Sequence, residues 1–353
     1  MKKICFITMG NLYLVPYLET YTQYIQGPYS IIYWNREGKN EKNGKNKFYS
    51  FDYKINSTGK IKKILGYVKF RKFVKKVLQN NNFDLIIILQ TCGALLLSDI
   101  LIKNYPKKFI IDIRDYTFEH NPIIYYLEKI LFFNAYSCVI SSKGYQEFLP
   151  FQKYYVVHNR RNLELKKVQE IREKSHKKET LNISFIGFVN YQEQHKKLLL
   201  TLKNDKRFHL NFIGTRALEL KDFCEKNSIK NVTLEGTFNS FEILKFYQNT
   251  DFINNVYGNN NPSLDYALSN KLYFAAELNI PILTCEKTYM AKISNKYNFG
   301  ISVDVSDPNL GDKLLTYYHS INWKKFSEEC KKFIKNVEKE QKDFTEMIKK
   351  AFY

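Results

Sequence analysis

Short apolar runs alternate with helical stretches along the first half of the chain. Ile4-Cys5-Phe6-Ile7-Thr8-Met9 predicts a first strand that ends in Gly10-Asn11, followed by a helix from about Val15 to Gln26. Ser30–Trp34 and Phe48–Tyr53 predict two more strands. Asp84–Leu89 is nearly all apolar, as a strand buried on both faces must be. Lys108–Ile113 repeats that pattern, and strands at 137–141 and 154–158 follow. From Arg160 to Thr180 apolar residues thin out and charges crowd together (Arg160-Arg161, Lys166-Lys167, Lys177-Lys178-Glu179), which reads as a solvated helix or linker. A second series then begins, with strands at 181–186, 208–213, 231–235, 251–256, 280–284 and 300–303. After Trp323 the chain becomes a long Lys/Glu-rich helix. Two such series predict the α/β class, with one doubly wound domain over 1–162 and another over 163–322. In sheets of this kind ligands sit at the carboxyl ends of the strands.

Length and composition agree with two cores. A chain of 353 residues exceeds one ordinary domain, and 44% hydrophobic with 16% aromatic residues exclude a disordered tail. The net charge of +20, from 55 Lys+Arg against 35 Asp+Glu, predicts attraction to nucleic acid, an anionic membrane face or phosphorylated substrates. A lysine-heavy composition alone would give the same charge, so placement decides. Aromatic–basic signatures, zinc spacings and helix-turn-helix cues are missing and the charge is spread over both domains, so no nucleic-acid partner is expected. The six cysteines are scattered without a Cys-x-x-Cys pair, which fits a reducing compartment and argues against a disulfide framework or structural zinc. The apolar run after Lys2-Lys3 stops at Met9, too short for a secretory signal. Leu85–Ile102 is broken by Gln90, Gly93, Ser98 and Asp99, so it predicts strand, loop and helix rather than a membrane span. A cytosolic protein is expected.

Candidate chemistry concentrates in the second half. Ser269-Asn270-Lys271-Leu272-Tyr273 forms a polar helix start with a lysine just inside it, which suits a phosphate. Strand 181–186 ends in Gly187, where backbone can approach a diphosphate, with Lys196-Lys197 soon after; Ile213-Gly214-Thr215-Arg216 ends the next strand in the same way. With Glu235-Gly236-Thr237, Asn255-Val256-Tyr257, Thr288-Tyr289-Met290 and Phe299-Gly300-Ile301, this block resembles the donor half of GT-B glycosyltransferases, especially those that build bacterial capsular and exopolysaccharides. Met9-Gly10-Asn11, Asp112–Tyr116, Ser141–Tyr145 and Val157-His158-Asn159 look like the first half of the same family.

The resemblance implies two Rossmann-like domains facing a cleft, the first for the acceptor and the second for a nucleotide-sugar, with helix 323–353 packed back on the first. It implies sugar transfer to a lipid-linked glycan in surface polysaccharide synthesis. Gly187, Lys196, Arg216, Gly236, Tyr257, Asn270 and Lys271 are the implied donor-binding residues, and Gly10, Asn11 and Arg114 the acceptor-binding ones. The chain departs from the family at Phe274, where an acid usually binds the ribose hydroxyls. Glu277, one helical turn deeper, Asp265, or backbone groups would take its place. A relative without catalysis, acting as a partner protein, is the alternative that Phe274 favours.

Asp112, Arg114, Asp115, Glu119 and His120 cluster just after a buried strand. An inverting transferase needs a base for the acceptor proton, whereas a retaining one needs mainly positioning and charge stabilisation. Asp115, Glu119 and His120 are the candidates; Asp112 reads as a structural partner of Arg114, and His120 before Asn121-Pro122 also fits a helix start. No strand ends in an Asp-x-Asp, so metal-independent chemistry without a cofactor is expected, lysine and helix dipoles serving in place of a cation.

In Lys60–Leu78, Tyr67, Phe70, Phe73, Val74, Val77 and Leu78 fall on one helical face and Lys69, Lys72, Lys75 and Lys76 on the opposite one. Ile61, Ile64, Leu65 and Val68 lie out of register and form an apolar tip beside lysines. Such a tip suits peripheral attachment to an anionic inner membrane face; an ordinary solvated helix is the alternative.

Overall fold

The computed structural model describes every residue except 1, 42–43, 55–59, 162 and 174–177. The chain divides into two compact units, one of residues 1–158 with 339–353, the other of residues 159–338.

The first unit is a parallel sheet of seven strands: β1 (Ile4–Thr8), β2 (Ser30–Asn35), β3 (Lys47–Asp52), β4 (Leu85–Leu89), β5 (Phe109–Ile113), β6 (Ser137–Ile140) and β7 (Tyr154–Val156). Their order is β3-β2-β1-β4-β5-β6-β7. Its helices are α1 (Glu19–Thr22), α2 (Lys60–Gln79), α3 (Thr91–Leu96), α4 (Ser98–Asn104) and α5 (Pro122–Asn134). β1, β4 and β5 are buried at every position, as strands covered on both faces must be.

The second unit begins with α6 (Leu165–Arg172) and holds the strands β8 (Leu181–Ile186), β9 (Phe208–Ile213), β10 (Val232–Glu235), β11 (Phe252–Asn255), β12 (Ile282–Cys285) and β13 (Gly300–Val303). These run parallel in the order β10-β9-β8-β11-β12-β13. Between them lie α7 (Gln192–Thr201), α8 (Lys221–Lys226), α9 (Ile243–Gln248), α10 (Pro262–Asp265), α11 (Asn270–Leu278), α12 (Tyr289–Lys296) and α13 (Leu310–Ser320). In this sheet the strand order reverses direction between β8 and β11, and the carboxyl ends of such a pair open a crevice for ligands.

Three elements differ from expectation. The predicted helix at 15–26 is two 3-10 turns (Leu12–Leu14, Pro16–Leu18) and the single turn of α1. Its buried anchors, Val15 and Tyr21, would stand about 120° apart on one continuous helix, so only a broken path buries both. Within the charged stretch after Arg160, read as a solvated helix or linker, α6 is a helix that buries Val168 and Ile171 in the second unit's core. The last helix, α14 (Trp323–Phe352), does not pack wholly on the first unit. Phe326, Cys330, Phe333 and Val337 lie in the second unit's core, and Phe344, Met347, Ile348, Ala351 and Phe352 in the first's.

Two helices of the first unit leave apolar surface outside. α2 buries Phe70, Val74, Val77 and Leu78, with Trp34 stacked on Phe70 at 5.4 Å, while Ile64, Leu65 and Val68 are exposed. α5 is inverted: its acid, Glu128, is fully buried beside Leu131 and Phe132, whereas Ile123 (70%), Tyr126 (62%) and Phe133 (74%) face outward with Leu127 and Ile130. Among the described residues no helix is long and apolar enough to cross a membrane.

Candidate functional site

In the second unit, Lys271 stands in the first turn of α11. Ser269 starts α11 in an extended conformation, and its hydroxyl donates to Asn255 Oδ1 (2.7 Å) instead of capping the helix. The first N–H groups of α11 therefore keep no side-chain acceptor. One residue in, Lys271 is only 7% exposed. Its Nζ lies 4.0 Å from the centroid of the Phe185 ring and donates to the Tyr257 hydroxyl (3.0 Å). No carboxylate pairs with it among the described residues. A buried ammonium without a counter-ion is costly, and an anion beside it and the uncapped helix amides would offset that cost. The backbone leaves room: a Cβ placed on Gly187, at the tip of β8, would lie 3.7 Å from Lys271 Nζ. Gly214, at the tip of β9, approaches the Gly187 carbonyl so closely that a Cβ there would lie 2.0 Å from that oxygen.

Beneath this cation lies His195 of α7, fully buried and edge-on to Phe185 at 4.6 Å. Burial, reinforced by the charge of Lys271, pushes its pKa down to about 3, so it stays neutral and adds no second charge. Beside Tyr257 opens a pocket of about 180 Å³ lined by Tyr191, Asn255, Gly258, Ser263, Leu264, Ala267, Leu268, Ser269, Cys285, Thr288 and Met290. Asn270 Oδ1 at the start of α11 and Asp265 Oδ1 are buried and have no protein partner. A larger groove of about 410 Å³ in the first unit lies along the edge strand β7, and Lys143 there is already paired with Glu340 (2.7 Å).

In the first unit, Asp112 is fully buried at the end of β5, accepting from the Tyr21 hydroxyl (2.7 Å) and from Arg114 Nε and Nη2 (2.7 and 2.9 Å). Asp115 stands exposed, yet protein packed around its carboxyl raises its pKa above the ordinary aspartate value. His120 is exposed, with Nδ1 against the Tyr116 hydroxyl. Glu119 turns inward: it is buried, accepts the Thr117 N–H (2.6 Å) through Oε2 and has no partner at Oε1. Gln90, at the tip of β4, has a φ of 117°, a strained conformation for a non-glycine residue.

No known family matches the sequence, and no curated protein does. Solved structures do match. Sucrose-phosphate synthase from Thermosynechococcus elongatus superposes with a TM-score of 0.72 at 10% identity, over 100% of this chain and 99% of its own. Anabaena HepE, solved with UDP-glucose, gives 0.64 at 12% identity, over 99% of each chain. WaaG, a glycosyltransferase involved in lipopolysaccharide biosynthesis, gives 0.62 at 10% identity, over 98% of this chain and 99% of its own. The fold is GT-B.

Within this GT-B chain the residues expected at the donor site part company. Gly187, Tyr257, Asn270 and Lys271 come together at the tips of β8 and β11. Gly236 sits at the tip of the edge strand β10, against Leu218. Lys196 does not join Lys271: its ammonium bonds Glu193 (2.8 Å) and lies over Phe223. Arg216 is held by Glu219 through Nε and Nη2 (2.9 Å each to the nearer oxygens). Glu277 is already paired, with Arg160 Nε donating to its Oε1 at 2.5 Å. Phe274 is core, packed on Tyr247 at 5.0 Å. On the acceptor side, Gly10 borders open space near Leu14. Asn11 is engaged internally by Asn35, Glu41 and the Arg36 N–H, and Arg114 is committed to Asp112. His195 and the Phe185 ring were not foreseen; no local motif marks them, since both become significant only by packing on Lys271.

Proposed function

We propose that this chain is a glycosyltransferase that grips the diphosphate of a nucleotide-sugar with Lys271 and the first amides of α11. The observation that carries this is the buried ammonium with no acidic partner among the described residues, at the sheet's reversal point. Anabaena HepE, a fold relative, was solved with UDP-glucose, which supports a donor of this class. In the reaction the bond from the sugar to the diphosphate breaks, and Lys271 with the helix amides stabilises the departing charge. Asn270 Oδ1 offers an acceptor to a ligand hydroxyl. Asp115 or His120, both exposed just after β5, takes the proton of the incoming hydroxyl as its oxygen bonds to the sugar. The chemistry is read as metal-independent.

The acceptor is read as a lipid-linked glycan used for surface polysaccharide. WaaG's part in lipopolysaccharide biosynthesis supports that reading, as do the exposed Ile64, Leu65 and Val68 among the lysines of α2 and the apolar outer face of α5. An alternative, a GT-B partner protein without transfer activity, is favoured by Phe274 at the position of the family's acid.

The test is a thermal-shift screen against UDP, GDP, dTDP, ADP and CDP. One of them raises the melting temperature and its sugar conjugates are turned over. Indifference to all five would leave the partner-protein alternative.

A further inference from the structure

The helices of the first unit divide between the two faces of its sheet. α2, α4 and α5 lie in the connections from β3 to β4, β4 to β5 and β5 to β6, which all step the same way along the strand order. Right-handed crossovers of one direction share one face. Contacts agree: Arg71 of α2 bonds Asp99 of α4 (2.6 Å), and α4 packs on α5. The last turns of α14 cover the opposite face.

The two faces differ in surface. Among the described residues, every exposed large apolar side chain on an α-helix of this unit belongs to α2 or α5, and none to α14. On α5, Ile123, Tyr126, Leu127, Ile130 and Phe133 share a stripe of about 120°, with Glu128 on the far side. Such a stripe ordinarily faces a core; here it faces out. Charge is one-sided as well. α2 contains no acid, and its exposed Lys69, Lys72, Lys75 and Lys76 stand on the side of Leu65 and Val68. Asp99 is paired with Arg71, and Glu128, its pKa raised to about 9 by burial and then by Glu119, is uncharged at neutral pH. Lys129 is the exposed charge of α5. On α14, by contrast, Asp343 and Glu346 stand exposed among Lys342, Lys349 and Lys350. A partner protein and a bilayer both cover apolar surface, and the charge decides between them. Lysines without free acids beside an apolar stripe complement anionic headgroups over acyl chains.

We propose that the first unit docks on an anionic bilayer through this face, with the stripe of α5 in the acyl boundary and the lysines of α2 at the headgroups. Its purpose rests on the reading of a lipid-linked acceptor: α5 begins two residues after His120, so a glycan carried in that bilayer is presented beside the candidate bases.

Flotation of the full chain tests this, with vesicles of phosphatidylcholine alone or mixed in equal parts with phosphatidylglycerol. The wild type should float with the mixed vesicles, and salt should weaken the binding. Ile123→Ser with Phe133→Ser should weaken it at least about tenfold. Lys72→Gln with Lys76→Gln should weaken it about 25-fold at low salt, roughly fivefold for each lysine. All four side chains are exposed, so the melting temperature and any shift induced by a nucleoside diphosphate should stay those of the wild type. In Phe133→Trp, the new indole should emit at shorter wavelength on mixed vesicles; Trp34 is already fully buried. Failure to bind mixed vesicles, unchanged binding in either double variant, or an unchanged indole spectrum overturns the proposal. So does self-association that the Ile123 and Phe133 substitutions abolish in a chain indifferent to vesicles, which would make the stripe a protein interface. A chain that binds vesicles but no nucleoside diphosphate keeps this proposal and loses the transferase reading. One that binds a diphosphate but no vesicles does the reverse.

Discussion

Replacing Lys271 with methionine removes the charge at the proposed phosphate site while keeping a flexible side chain of similar length. In the empty protein the change should cost little or even stabilise: it deletes a buried ammonium whose close partners among the described residues are the Phe185 and Tyr257 rings and the Tyr257 hydroxyl, and buried charge replaced by packed apolar side chains is often neutral or favourable. With ligand the effect reverses. Charge-assisted bonds contribute about 1.5–3 kcal/mol each, so losing the one from Lys271 should weaken nucleoside diphosphate binding by up to about 100-fold. At a concentration 100 times the wild-type Kd, the ligand stabilises the wild type by about 2.7 kcal/mol and the variant by about 0.4 kcal/mol. For a unit of this size that is roughly 5–10 °C of thermal shift against about 1 °C. Differential scanning fluorimetry with and without the diphosphate reads both numbers, and a transfer assay follows turnover. A Lys271→Met protein that keeps the ligand-induced shift and still transfers sugar would refute the assignment of Lys271 as the phosphate-gripping cation.

Further expectations concern the frame around the sites. Asp112→Ala strands the Arg114 guanidinium, itself nearly buried, and should cost about 3–5 kcal/mol in urea unfolding, whereas Tyr21→Phe should cost about 1 kcal/mol. Gly214→Ala would drive a Cβ into the Gly187 carbonyl at a φ of +131°, and should lower stability by at least about 2 kcal/mol and abolish diphosphate binding. Burial, and then the neighbouring Glu119, raise the Glu128 pKa to about 9. Between the ordinary glutamate value and about 9 the folded chain therefore holds a proton that the unfolded chain has released, so stability falls as pH rises through that window. Glu128→Gln should flatten the slope of melting temperature from pH 5 to 9; an unchanged slope would rule out Glu128 as its source.

β1, β4 and β5 were legible because each is an apolar run of strand length, and a strand covered on both faces needs nothing more subtle. Lys271 was legible for a local reason too, as a lysine at a polar helix start. Charges whose partners lie elsewhere were not. Nothing near Glu277 in sequence announces Arg160, 117 positions away, and Lys196 looks available until Glu193 is seen beside it on the same turn. The amphipathic pattern of α2 was readable and its exposed tip followed. α5 offered the opposite case: a helix apolar almost all round is ordinarily a buried one, and only the structure turns its glutamate inward and its isoleucine, tyrosine and phenylalanine outward.

The divided membership of α14 bears on how the chain is made. Ile4, Phe6, Ile31, Tyr33, Leu85 and Ile87 present one face of the first sheet to Phe344, Met347, Ile348 and Phe352. On a ribosome, residues 1–158 emerge on the order of 10–40 s before residues 339–353 do. Throughout that interval the first sheet lacks its cover, so the half that is synthesised first is the last to be closed. Its nascent apolar face needs shielding by a chaperone or by transient contacts until translation delivers the final turns of helix.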